Sequence, residues 1–196
     1  MESTQTDFIS VINSILMLVD YKPESLAQIR STDRDSVKNA VIASAKAASI
    51  LNVPVILTSD GEIMPELKEI FPNQHTLMRR QGQENAFNDD NVSNTVRKYG
   101  REKLIISGLW TSESFTETAL NAVKAGYDVF GLIDACGDTS SERHNYGVHR
   151  MLKAGVTPIT WMSLASEWMN GWTDPYENEE ELSGKYNAML SYLSRH

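Results

Sequence analysis

The feature that most constrains this chain is an alternation of short, unbroken apolar runs with segments of helical periodicity. The runs are "SILMLVD" (14–20), "VPVILTS" (53–59), "KLIISG" (103–108), "YDVFGLID" (127–134) and "TPIT" (157–160), with "TLMR" (76–79) as a short extra strand. Between and after them lie "SVKNAVIASAKAASILN", "MPELKEIF", "DNVSNTVRKYG", "ESFTETALNAVKAG", "SSERHNYGVHRMLKAG" and "WMSLASEWMNGW". In the first of these, Val37, Ala40, Val41, Ser44, Ala48 and Leu51 recur at helical spacing. The runs lack the apolar–polar alternation of a half-exposed sheet. Strands of that kind are buried on both faces, as in a parallel sheet covered by helices. The expectation is an α/β fold: a three-layer α/β/α sandwich around a mostly parallel sheet of five or six strands.

Sheets of this kind bind ligands outside the carboxyl ends of their strands. That rule selects Asp20, Ser59, Arg79 and Arg80, residues 108–114, and residues 134–137. Asp20 is either an acid–base carboxylate or a turn residue. The Arg79–Arg80 pair is either a solvated face or a source of charge stabilisation for a carboxylate or oxyanion. Ser114 opens a helical pattern, and "SFTE" fits a capping box, with Ser114 at the cap and Glu117 three residues on. As a nucleophile it would need an adjacent base. Its surroundings lack the G-x-S-x-G elbow, and no histidine is placed to complete an ordinary triad. Cys136 is either a small apolar residue of the core or, against the lack of anything nearby to lower its pKa, a catalytic thiol.

Several classes are disfavoured. His75, His144, His149 and His196 form no H-x-H, H-E-x-x-H or Cys/His cluster, so no metal is expected. No P-loop and no G-x-G-x-x-G is present, so no nucleotide cofactor is expected. A formal net charge of -8 argues against a nucleic-acid face. No apolar run is long enough to span a bilayer, and "MESTQTDFIS" does not read as a secretory signal. The single cysteine suits a reducing, cytoplasmic setting. Residues 1–174 read as one domain. Residues 175–196 read as an acidic and helical extension, with Leu182, Tyr186, Met189, Leu190 and Leu193 on one face, docked on the domain or on a neighbouring subunit. Trp161, Trp168 and Trp172 are either interface anchors or ordinary core.

The order "LMLVD", "PVILTS", "LMRRQGQENAF", "LIISGLWTSESFTETAL", "YDVFGLIDACGDTS", "RMLKAGVTPITW" resembles the isochorismatase-like cysteine hydrolases, and most resembles their YcaC-like branch. The resemblance covers about residues 12–172. It implies an Asp after the first strand, matched by Asp20. It implies a basic residue after the third, matched best by Arg80 with Arg79 as fallback. It implies a "G-[VIL]-x-T" turn, matched by residues 108–111, with a cis peptide at Leu109–Trp110. The backbone N–H groups of Trp110 and Ser114 would then form an oxyanion hole. The nucleophile should be Cys, and the residue there is Ser114.

A thiol at a helix start near a basic group ionises readily, whereas a serine hydroxyl does not. Three explanations follow: an inactivating replacement, a natural serine version or silent relative, or chemistry without the nucleophile. The resemblance thus implies a metal-free, cytoplasmic, homo-oligomeric hydrolase of a small amide, related C–N or ester substrate, working through Asp20, Arg80 and Ser114. The alternatives are a catalytically silent small-molecule-binding or structural relative, and vinyl-ether hydrolysis with Asp20 as acid. No histidine follows the second strand in "TSDGEIMPEL", which disfavours the metal-dependent nicotinamidase branch.

Overall fold

The computed structural model describes residues 8–79, 82–170 and 191. Among the described residues, six strands form one parallel sheet: β1 (Ser14–Val19), β2 (Val55–Ser59), β3 (Leu77–Met78), β4 (Lys103–Gly108), β5 (Asp128–Leu132) and β6 (Thr157–Ile159). Their order across the sheet is β3-β2-β1-β4-β5-β6. Among the described residues, the helices that connect or follow them are α1 (Pro23–Ala27), α2 (Arg34–Ile50), α3 (Pro65–Ile70), α4 (Asp90–Lys98), α5 (Thr116–Lys124), α6 (Ser141–Lys153) and α7 (Trp161–Asn170). The three-layer α/β/α fold expected from the alternating pattern is present.

The unbroken apolar runs have a direct cause. Successive strand residues point to opposite faces, and both faces are covered. From β1, Leu16 and Leu18 pack into one core with residues of α2, α3 and α7. Ile15, Met17 and Val19 pack into the other with Val92 and Val96 of α4, Ala119 and Ala122 of α5 and Met151 of α6. Each such aliphatic side chain contributes about 1.5–3 kcal/mol relative to exposure, so a polar residue on either face would be costly. Helix starts are set locally. Asp33 accepts from Ser36 N, Asp89 from Asn91 N and Val92 N, and Ser140 from Arg143 N.

Trp168 is wholly buried, and its Nε1–H donates to Ser14 Oγ at 3.0 Å. It is core and not an interface anchor. Trp161 is half-buried, with its backbone N–H donating to the Asp134 carboxylate at 3.0 Å. Trp172 and nearly all of the 175–196 extension lie outside the described residues. Among the described residues no helix is long and apolar enough to cross a membrane.

The strand order places a topological switch between β1 and β4. From β1 the chain moves outward through β2 to β3. It then returns to β4 and moves outward through β5 to β6. The carboxyl ends of β1 and β4 therefore flank the crevice where such sheets bind ligands. Val19 pairs with Gly108 in the register, so Asp20 and Leu109 leave the sheet side by side.

Candidate active site

At the end of β1 the chain turns through Asp20, whose φ is +59°. Aspartate is one of the few non-glycine residues that enter this left-handed region routinely. Its backbone N–H donates to Thr58 O at 3.0 Å, and its carbonyl accepts from Lys22 N at 2.8 Å. The turn sends the carboxylate inward, where the residue is 3% exposed. Oδ2 accepts from Arg79 Nη2 at 2.6 Å, and Oδ1 accepts from Asp60 N at 3.2 Å.

The Arg79 side chain is itself only 1% exposed. Its backbone N–H donates to Ser59 O at 2.7 Å, and its Nε–H donates to Gln83 O at 3.1 Å. A buried pair of this kind adds little net stability, but removing one partner strands the other charge. Next to it, Lys22 Nζ pairs with Asp60 at 2.7 Å. Burial would push the Asp60 carboxyl up, but the Lys22 ammonium outweighs this and holds it below its ordinary value. Arg80 and Gln81 lie outside the described residues. Among the described residues, the guanidinium that reaches Asp20 is that of Arg79.

At the end of β4 the backbone passes very close to β1. A Cβ on Gly108 would lie 2.8 Å from Val19 O, so only glycine fits. The Leu109–Trp110 peptide is cis. Leu109 N donates to Val19 O at 3.1 Å, and Thr111 N to Gly137 O at 3.0 Å, which tie the turn to both neighbouring strand ends. A π-helical turn, Thr111–Phe115, then runs directly into α5.

Ser114 lies inside this turn and is 1% exposed. The capping box expected from "SFTE" is absent. The residue before α5 is Phe115 in helical conformation, and no side chain caps the helix. The physical reason is that the helical path begins at Thr111, after the extended Trp110. Ser114 therefore cannot adopt the extended backbone that a cap residue needs. Its hydroxyl donates instead to Glu84 Oε2 at 2.5 Å.

Contacts from α6 and the segment before it fix the turn from outside. Asp138 is fully buried and accepts from Ser112 N at 2.8 Å and from Arg143 Nε at 2.8 Å. Burial would raise its pKa, but these donors hold the carboxyl below its ordinary value. Arg143 also pairs with Glu113. Helix α6 presses against the turn at Gly147, where a Cβ would lie 2.7 Å from Thr111 O. Thr111 Oγ1 and His144 Nδ1 are 3.0 Å apart. Burial lowers the pKa of His144, with Asp138 acting weakly in the opposite sense.

The structure therefore places Asp20, with the Arg79 guanidinium on its carboxylate, and the cis turn that leads to Ser114 at the ends of the adjacent strands β1 and β4. Glu84 and Asp138 were not singled out from the sequence. Glu84 sits in "RRQGQENAF" among polar loop residues, and only the packing of that loop against the turn gives it significance. Asp138 sits one residue beyond the 134–137 neighbourhood. Cys136 is core: burial pushes its thiol up to about 12, and Sγ lies 3.0 Å from Ile133 O. Among the described residues no three His, Cys, Asp or Glu side chains converge as a metal site. Two large surface grooves, about 680 Å³ beside β3 and α4 and about 650 Å³ between α6, β6 and α7, lie away from these residues.

Residues 9–163 match the model of the isochorismatase domain family. Over 191 residues, 92% of this chain and 91% of the relative, the chain is 30% identical to the probable hydrolase YcaC of Escherichia coli K12. The structure of YcaC from Pseudomonas aeruginosa, described with hexane-2,5-diol and covalent acrylamide, superposes with a TM-score of 0.82 at 29% identity, covering 98% of this chain and 96% of that one. The E. coli YcaC structure, described as an octameric hydrolase of unknown specificity, superposes at 0.80 with 28% identity, covering 97% of this chain and 98% of that one.

Proposed function

The chain belongs to the isochorismatase family, and on that premise we propose that it is a hydrolase of a small amide, a related C–N compound or an ester. The observation that carries the proposal is the side-by-side exit of Asp20 and the 108–114 turn from β1 and β4, with Arg79 on the Asp20 carboxylate at 2.6 Å. Ser114 is the nucleophile position. The resemblance gives Asp20 the acid–base role, and Arg79 orients its carboxylate. Arg79 takes the charge-stabilising role that the resemblance gave first to Arg80. The Trp110 and Ser114 N–H groups receive the oxyanion of the tetrahedral intermediate. No metal takes part.

Covalent acrylamide in the Pseudomonas relative supports a site that admits small amides. The octameric Escherichia relative supports a homo-oligomer here. A cytoplasmic setting belongs to the same proposal. The silent-relative alternative drew on Ser114 as a helix cap, and that local argument is removed by the hydroxyl's contact with Glu84.

The test is Ser114→Cys. The variant is incubated with acrylamide and iodoacetamide, and adducts are mapped by peptide mass. The same variant and the unaltered chain are screened for hydrolysis of small amides and esters. Adduct formation at position 114 and turnover in either form are expected. A variant that is neither labelled nor active overturns the proposal. Light scattering at micromolar concentration checks assembly, and a monomer counts against it.

A further inference from the structure

We propose that Glu84 is the general base that activates Ser114, giving the chain a serine–carboxylate nucleophile. The proposal rests on the hydrolase function above and moves to Glu84 the proton transfers that the resemblance gives to Asp20. A serine hydroxyl is a weak nucleophile until a base placed on it removes its proton. The hydroxyl of Ser114 is already committed to one acceptor, Glu84 Oε2 at 2.5 Å. Asp20, the other carboxylate of the site, is engaged elsewhere. Its Oδ2 accepts from Arg79 and its Oδ1 from Asp60 N.

The loop that carries Glu84 is fixed on both sides. Arg79 Nε–H donates to Gln83 O at 3.1 Å, just before it. Ala86 N donates to Thr118 Oγ1 of α5 at 3.0 Å, just after it. The Asn85 side chain accepts from Phe87 N at 3.0 Å and starts the 3₁₀ turn Ala86–Asn88. Arg79 thus holds both Asp20 and the Glu84 loop. Helix α5 continues the turn that carries Ser114 and also supplies the loop's second anchor. This is the rigid support that a catalytic pair requires.

Glu84 takes the proton from Ser114 Oγ while Oγ bonds to the acyl carbon of the substrate. The carbonyl π electron pair moves onto its oxygen. As the intermediate collapses, the C–N or C–O bond breaks, and the leaving amine or alcohol departs with the proton from Glu84. Water then adds to the acyl-serine, giving one proton to Glu84. The ester bond to Oγ breaks, Oγ recovers that proton, and a carboxylic acid leaves. The net change is amide or ester plus water to acid plus amine or alcohol.

The experiment uses the full chain and a fluorophosphonate probe, which phosphonylates activated serines with release of fluoride. Labelling of the unaltered chain should map to Ser114 and vanish in Ser114→Ala. Glu84→Gln should label at least about 100-fold more slowly, the usual worth of a placed general base. Glu84→Asp, which keeps the carboxylate at shorter reach, should fall between. Glu84 is exposed, so neither substitution opens a core cavity. Equal labelling of Glu84→Gln and the unaltered chain overturns the proposal. Failure to label the unaltered chain, while Ser114→Cys is alkylated normally, overturns the proposal and leaves the hydrolase function standing. Failure of both overturns both.

Discussion

Replacing Gly147 by alanine sets two effects of similar size against each other. Gly147 lies inside α6, where alanine is favoured over glycine by about 1 kcal/mol. The new Cβ would stand 2.7 Å from Thr111 O and 2.9 Å from both Thr111 C and Ser112 Cα. These are backbone atoms of the turn that carries Ser114, so no rotamer change relieves the contact. Overpacking of this kind costs about 1–3 kcal/mol. The expected net change is a loss of about 0–2 kcal/mol. At roughly 2–4 °C per kcal/mol for a chain of this size, Tm should fall by up to ~8 °C. Relief to an ordinary carbon contact displaces the turn by on the order of 1 Å. A misplacement of that size costs about 100-fold in reactivity. The assay is a thermal melt together with the rate at which iodoacetamide alkylates the Ser114→Cys variant, with and without Gly147→Ala. A Tm that rises by roughly 2–4 °C with an unchanged alkylation rate would show that α6 does not press on the turn.

Three further outcomes are expected. Arg79→Met strands the buried Asp20 carboxylate and should cost about 3–5 kcal/mol in urea unfolding, with Asp20→Asn recovering much of that loss in the double variant. A cost below about 1 kcal/mol would contradict the buried pair. Cys136, pushed up to about 12 by burial, should resist iodoacetamide in the folded protein and react in denaturant. Stoichiometric modification of the folded form would place it elsewhere. Burial holds the folded pKa of His144 below the ordinary histidine value, with Asp138 opposing. The unfolded state then binds more protons as pH falls through about 6.5, so stability drops on the acid side of that value. His144→Gln should flatten the change in urea midpoint between about pH 7 and pH 5.5, and an unaltered slope would refute the assignment.

The sheet was legible because burial on both faces writes itself into every strand. Leu16 and Leu18 serve one core and Ile15, Met17 and Val19 the other, so "SILMLV" can only be an unbroken run. Strand-end reasoning likewise put Asp20 and the 108–114 turn at strand ends, and the register sets them side by side. Two things were not legible. Whether Arg79 or Arg80 meets Asp20 depends on the side to which a two-residue edge strand sends its next side chain, and β3 spans only Leu77–Met78. The partner of Ser114 lies 30 residues earlier in the chain, on a loop that folds back against the turn, and no local pattern encodes that contact. The capping box misled because "SFTE" has the right residues in a segment that was already helical three residues earlier.

The identity of residue 114 and the carboxylate beside it are linked by electrostatics. A nearby carboxylate disfavours a thiolate, because it places a second negative charge against the sulfur. The same carboxylate helps a serine, because a hydroxyl needs a base and not a compensating cation. Glu84 should therefore favour serine and penalise cysteine at this position. Ser114→Cys alone should therefore carry a thiol that ionises less readily. Adding Glu84→Gln should remove the repulsion while keeping a polar side chain of the same size. Iodoacetamide alkylation of the double variant should be about tenfold faster at neutral pH than that of Ser114→Cys, with the pH–rate profile displaced to lower pH. In the serine background the same Glu84→Gln change should slow fluorophosphonate labelling. Opposite signs in the two backgrounds would tie Glu84 to the proton of residue 114. A change of the same sign in both would mean that Glu84 acts only through the packing of its loop.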